Sequence, residues 1–474
     1  MAYDVIVVGA GPNGLAAAIE LARNGLRVLL REASSTVGGA ARTEELTLPG
    51  FHHDVGSAVY PLAVASPFLS SLPLADHGLE WIHGKHPLAH PLDGGRAVLL
   101  KRSVSETAEA LGSDNDAYRR MVEPFVTEWP TFADHILTTP LRPPRAPMLM
   151  GRFGLRAFRS AAALAKPFRT VDAPALLAGC AAHSGLPIDL VPSGAIGLVL
   201  MVAGHAVGWP IPRGGAGALT GALASLFESL GGTIETDSPV TELDDLPRRK
   251  ATVLALTRGQ VAQLEGGDLP DSYKEQLRQW QYGPGAFKVD WALDAPIPWA
   301  APECAEAITV HLGGTLEEIA DAEGPPWQGY TNDRPFVLLA QPSLYDDTRA
   351  PEGKHTAWAY CHVPNGWDGD SLEAIEGQVE RFAPGFRDVI LERHVHRPSD
   401  LEAWDANLVG GDVNGGAATL EQTFGRSRWT LDPWGTPVPN LYLCSASTPP
   451  GGGVHGMCGF HAARSVLKRT FGAS

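Results

Sequence analysis

Residues 4–32, "DVIVVGAGPNGLAAAIELARNGLRVLLRE", constrain the fold more than any other stretch. They open on an apolar run of strand length, Val5 to Val8, followed by the glycine turn Gly9-Ala10-Gly11-Pro12-Asn13-Gly14. Leu15, Ala18, Ile19 and Ala22 then recur at i, i+3, i+4 and i+7, the period of a helix with one buried face. Gly25 stands where a helix end takes a left-handed residue. A second strand, 27–32, ends on Glu32, 18 residues after Gly14. Strand, turn, helix, strand and acid in this order predict a dinucleotide-binding unit. Gly9 makes the tight turn, Gly11 admits a pyrophosphate to the backbone, and Gly14 lets helix and strand pack closely. The helix N-terminus, beginning at Pro12 and Asn13, offers amides, and Glu32 accepts from ribose hydroxyls.

The residues that follow are "ASSTVGGAARTEELTLPGFHHDVGSAVYPL", with Gly38-Gly39 just behind the acid-bearing strand, Arg42 next, and Asp54-Val55-Gly56-Ser57 further on. This segment resembles the phytoene dehydrogenase-related branch of the FAD-dependent amine-oxidase superfamily, the group of the bacterial carotenoid desaturases. The resemblance implies an α/β, overall α+β, protein: a glutathione-reductase-like FAD-binding Rossmann lobe with an inserted, interleaved substrate-binding lobe. Residues 1–62, 206–266 and 424–474 would form the first lobe, and 63–205 and 267–423 the second. It further implies FAD contacts at Ala33 beside Glu32, at Gly38, Gly39 and Arg42, at Gly56 and Ser57 under the flavin, and at Val240 over the adenine. Trp209, Gly214 and Gly215 would lie at the substrate end.

Residues 222–230 read as a helix stopped by Gly231-Gly232, with "TIET" and "PVTEL" (239–243) following as strands. "AFKVDWAL" (286–293) alternates as a strand in the second lobe, with Lys288 and Asp290 on the face opposite Phe287 and Val289.

A second G-x-G-x-x-G, Gly451, Gly453 and Gly456, follows the strand-like "NLYLCSAS". The 18 residues after Gly456 hold no further strand ending in an acid, so a second nucleotide unit is not expected. By resemblance this motif is the other wall of the first site. Ser445 and Gly453 would line it, and the amides of Val454, His455 and Gly456 would face the flavin O2 and ribityl chain.

Fifty-three acidic against 37 basic residues leave a formal charge of −16, which disfavours nucleic acid as a partner. Five scattered cysteines include no C-x-x-C, which argues for a reducing compartment and against a redox-active disulfide. With no secretory signal visible at its start, the chain reads as cytoplasmic. Residues 190–212 carry no charge but contain prolines and glycines, and read as a buried core or tunnel wall rather than a membrane span. From His135 to Val171 there are seven basic residues and no acidic one, among Met148, Leu155, Phe158 and other apolar side chains. That window reads either as a peripheral, membrane-facing or lid element, or as a surface helix with snorkelling arginines.

Three residues are candidates for proton transfer. Lys288 matches a lysine near flavin N5 in amine-oxidase relatives, or is an exposed strand lysine. His205 is an acid or base, or a satisfied core histidine. His455 sits in the second glycine motif. No metal is expected: the trio His83, His86 and His90 is interrupted by Pro87. The reading is an FAD-dependent dehydrogenase or desaturase that abstracts hydride from a hydrophobic, isoprenoid or carotenoid-like molecule. An amine or amino-acid oxidase, and a flavoprotein with a non-redox isomerase or interaction role, are the alternatives.

Overall fold

A computed structural model describes residues 3–425 and 432–473; residues 426–431, within the expected third segment of the nucleotide lobe, lie outside it. Val5–Val8 is the centre of a five-stranded parallel sheet in the order Leu441–Leu443, Ala251–Leu254, Val5–Val8, Val28–Arg31, Thr233–Glu235. All four residues of the central strand are buried, as β-branched runs are when both faces of a parallel sheet are covered. The helices Pro12–Arg23, Ala216–Ser229 and Met457–Thr470 share one buried cluster with that sheet, and Val261, Leu264, Tyr273 and Leu277 fill the other side. Gly25 has φ +78°, and its amide and that of Leu26 close the end of the first helix on Ala22 and Leu21.

The second lobe is built on a seven-stranded mixed sheet ordered Ile390–His396, Gly285–Leu293, His355–Val363, Val337–Ala340, Ala307–Leu312, His86–Leu92, Arg96–Leu100. Alternation sorts its faces: Phe287, Val289, Trp291 and Leu293 share a cluster with Ile375, Val379 and Phe382, and Lys288 and Asp290 point the other way. That other face is covered by helices, including Asp172–Ala182 and Ser193–Ala206. The uncharged run 190–212 therefore holds a core helix, with Leu198, Met201 and Val202 fully buried. No helix among the described residues is long and apolar enough to cross a membrane.

The segment 239–243 is not the expected strand; it makes only an isolated bridge at Glu242. Ahead of it the backbone amides of Asp237 and Ser238 are committed to Ser34 and Glu32, so the chain wraps the end of the second strand instead of extending the sheet.

Candidate functional site

The glycine turn is built for close approach. A Cβ on Gly14 would stand 1.8 Å from the Gly9 carbonyl oxygen, and Gly9 itself has φ +97°. Gly11 is the N-cap of Pro12–Arg23 with no side chain capping it, so the first-turn amides stay available to an anion. Gly39 packs against Gly11, where its Cβ would lie 3.0 Å from the Gly11 Cα, and the Gly38 amide donates to Ala10. Glu32 is fixed by the Ala10 and Ser34 amides at 2.7 and 2.9 Å, which leaves lone pairs for hydroxyl donors. Ala33 is exposed beside it, and Val240 packs near this end against the cluster of the central strand. Arg42 donates to the carbonyls of Gly39 and Trp404 and lies over the Trp404 ring at 3.9 Å, tying the two lobes together. On Gly56 a Cβ would meet the Ala40 oxygen at 2.1 Å, and the Ser57 amide donates to that same oxygen.

The second glycine motif meets the first. Gly456, at φ +67°, is the N-cap of Met457–Thr470, and a Cβ on Gly459 would fall 1.8 Å from the Asn13 carbonyl oxygen. The two helices lie flush. One continuous cavity of about 850 Å³ runs from this junction, past Ser57, Ser445 and Gly453, to the sheet of the second lobe. The Asn13 side-chain oxygen has no partner there. Glycines that admit no side chain, an uncapped helix start and a held acid suit the diphosphate, ribose and ribityl groups of FAD.

Lys288 lies on the cavity wall and is 3 % exposed, not an exposed strand lysine. Its ammonium bonds the fully buried Asp290 carboxylate, and burial drives the lysine pKa down and the aspartate pKa up. Behind Asp290 stand His53 Nδ1 at 3.6 Å and His396 Nδ1 at 3.9 Å. Trp209 lines the cavity, donating through Nε1 to the Leu200 carbonyl.

Other expectations are corrected. His205 is a satisfied core histidine: its Nε2 is 2.6 Å from the Tyr118 hydroxyl, its Nδ1 faces the Arg102 carbonyl, and it does not line the cavity. Burial holds its pKa down to about 4. His455 does line the cavity, yet both ring nitrogens are committed: Nε2 donates to Gly451 and Nδ1 accepts from the Met457 amide. The His455 amide is spent on Gly453 as well, so the polar atoms of the residue close its own loop. Gly214 and Gly215 lie under the first lobe, where a Cβ on Gly215 would be 2.4 Å from Thr43 Oγ1; Asp54 there accepts from the Ala216 amide and pairs with buried Arg349.

Asp405, Trp358, Tyr360 and His183 also line the cavity, and no motif announced them. Asp405 faces Gly39, and burial raises its carboxyl pKa.

A sequence model described as an NAD(P)-binding Rossmann-like domain matches residues 7–71. The chain is 29 % identical over 98 % of its length to rat pyridine nucleotide-disulfide oxidoreductase domain-containing protein 2, covering 93 % of that protein. It is 25 % identical over 97 % of its length to the lycopene-forming phytoene desaturase of Pantoea ananas, covering 98 % of it. Its five cysteines are all buried, and none forms a disulfide. Among solved structures, an oxidoreductase from Methanosarcina mazei superposes with a TM-score of 0.65 at 16 % identity, over 98 % of this chain and 100 % of that one. Putrescine oxidase bound to putrescine superposes at 0.63 with 17 % identity, over 99 % and 100 %. The chain thus shares the two-lobed fold of these solved oxidoreductases, and its full-length similarities are to a pyridine nucleotide-disulfide oxidoreductase domain-containing protein and a phytoene desaturase.

Proposed function

We propose that the chain uses FAD to abstract hydride from a hydrophobic, isoprenoid-like substrate and leaves a carbon–carbon double bond. The observation that carries this reading is the single cavity, which joins the glycine cradle to an apolar chamber walled by Met150, Phe153, Ile196, Val199, Leu200 and Leu338. Bound FAD would accept the hydride. The chain's own residues do the rest. Gly11, Gly39 and the helix start at Pro12 hold the diphosphate, Glu32 holds the ribose, and the apolar walls exclude water. Lys288, kept toward its neutral amine by burial, takes the proton released from the neighbouring carbon, and Asp290 steadies the ammonium that results.

The amine-oxidase alternative asks for two aromatic rings facing one another across the substrate. Trp358 and Tyr360 instead sit side by side on one strand, stacked at 6.1 Å, and pave the cavity floor. Arg142 and Arg145 at the cavity lining also disfavour a cationic substrate. Entry from a lipid surface fits the helix Pro147–Ala157 beside these arginines, where Met148 and Leu155 are 82 % and 77 % exposed. The test is anaerobic mixing of the purified protein with polyenes, soluble amines and alcohols while the flavin spectrum is followed. Bleaching by the polyenes alone supports the reading. No flavin in the purified protein, or bleaching only by the amines or alcohols, overturns it.

A further inference from the structure

Beyond Lys288, two buried histidines of the second sheet, His90 and His311, and the half-buried His183 at the end of the helix Asp172–Ala182 form a chain that the proposed chemistry does not use. His183 Nε2 lies 2.9 Å from His311 Nε2, and His90 Nε2 lies 2.7 Å from the Gly314 carbonyl. His90 and His311 are fully buried, neither ring bonds a carboxylate, and the Nδ1 of each has no partner. His183 borders the cavity, with its ring 5.5 Å from that of Trp209, and among the described residues its ring bonds only His311, through Nε2.

Hydrogen placement follows from which groups can donate. A carbonyl only accepts, so His90 carries its hydrogen on Nε2 and its Nδ1 is bare. Both His90 Nδ1 and His311 Nδ1 face Gly179, where a Cβ would stand 3.0 and 2.7 Å from them, so only the C–H of a glycine fits between. An N–H on His311 Nδ1 would be a buried donor with no acceptor. A bare nitrogen against C–H is the tolerated state. His311 therefore carries its hydrogen on Nε2 and donates it to His183 Nε2, which places the hydrogen of His183 on Nδ1, toward the cavity.

Strand register sets how far this donor lies from the reacting end. Lys288 pairs with Tyr360, Tyr360 with Leu338, and Leu338 with His311, in one line across four neighbouring strands. Three strand spacings put His311 ~14 Å from Lys288. The charged groups on this face are already matched: Lys288 with Asp290, and His362 with Glu323 at 2.7 Å. Arg142 and Arg145, the cavity's other cations, lie ahead of the helix Pro147–Ala157 and not on this sheet, so an entering carboxylate would find no free counter-charge on this face, whereas a neutral oxygen needs only the donors.

We infer that the cavity contains an oxygen-anchoring subsite, in which His183 Nδ1–H binds the carbonyl of an otherwise apolar substrate on the side of the cavity away from Lys288. The substrate class is thereby an isoprenoid-like ketone or aldehyde rather than a pure hydrocarbon. The inference rests on the redox reading above for which end reacts.

The experiment measures binding of farnesylacetone, and of the hydrocarbon of the same skeleton with methylene in place of the carbonyl. Intrinsic tryptophan fluorescence of the purified protein in mild detergent supplies the readout, with Trp209 and Trp358 both on the cavity wall. One hydrogen bond predicts about tenfold tighter binding of the ketone by the wild type. His183→Gln, which retains a group only at the Nε2 position, loses that preference with hydrocarbon affinity unchanged. His183→Asn, which returns an amide donor at the Nδ1 position, keeps it. Equal binding of the two ligands by the wild type, or an intact preference in His183→Gln, overturns the subsite. A flavin that no polyene, ketone or aldehyde reduces, alongside an intact ketone preference, overturns the redox reading alone.

Discussion

At the scale of single residues, the Lys288–Asp290 pair is the most consequential arrangement in the cavity, because burial pushes both groups toward neutrality. Lys288→Met is expected to slow anaerobic flavin reduction about 100-fold, a usual contribution of a positioned base. Asp290→Asn removes the anion that favours the ammonium, so the lysine pKa falls further and the acidic limb of the rate profile moves to lower pH. Rapid-mixing reduction rates across pH check both, and an unmoved limb in Asp290→Asn would place the proton acceptor elsewhere. His455 behaves differently, since its ring only closes the Gly451–Gly456 loop. His455→Ala should weaken flavin retention about tenfold through one lost hydrogen bond. His455→Asn, whose side-chain oxygen can still accept from the Met457 amide, should hold flavin more tightly than His455→Ala, read as flavin-to-protein ratio after dialysis.

At the scale of elements, the helix Pro147–Ala157 presents Met148 and Leu155 to solvent next to the basic run, and the Phe158 ring beyond it stacks on Phe424. Met148→Asp with Leu155→Asp is expected to reduce co-flotation with anionic vesicles several-fold and to leave melting unchanged, because neither side chain packs in the core. Flotation that is unaffected would make this helix an ordinary surface element. What could be read ahead of the structure also divides by element. The glycine turn, its helix and its strands are legible because every residue doing the work lies within about thirty positions, and local chemistry decides the turn. The face of Lys288 follows from alternation, but its burial does not: every residue of Gly285–Leu293 is buried, and only pairing with distant strands shows that both faces are covered. The histidine chain is illegible for the same reason, since His183 meets His311 across 128 positions and no short motif links them. The segment 239–243 misleads in the opposite way: its composition is strand-like, but the amides of Asp237 and Ser238 just ahead of it are engaged by Ser34 and Glu32.

At the scale of the whole molecule, the buried histidines set an acid limit. Burial depresses the pKa of His183 to about 3 and of His90, His205 and His455 to about 4. Their neutral forms therefore favour the fold fully above the unfolded pKa near 6.5, and that stability is lost as pH falls toward the folded values. At pH 5 each contributes about 2 kcal/mol of destabilisation relative to neutral pH. His362 acts in the opposite sense: burial works against its charge, Glu323 outweighs burial, and the raised pKa gives stability that is lost as pH rises through it. The melting temperature is expected to drop steeply between pH 7 and pH 5, with a shallower slope in His205→Gln; a flat profile would show these rings protonated in the fold. The junction of the two glycine motifs has a further effect, in time rather than space. The nucleotide turn leaves the ribosome early, but the strand Leu441–Leu443 and the helix that lies flush on Asn13 are made more than 400 residues later. Stalled nascent chains ending before residue 441 should retain no flavin, and chains that expose residues 441–470 should retain it, so loading is expected to wait for this late segment.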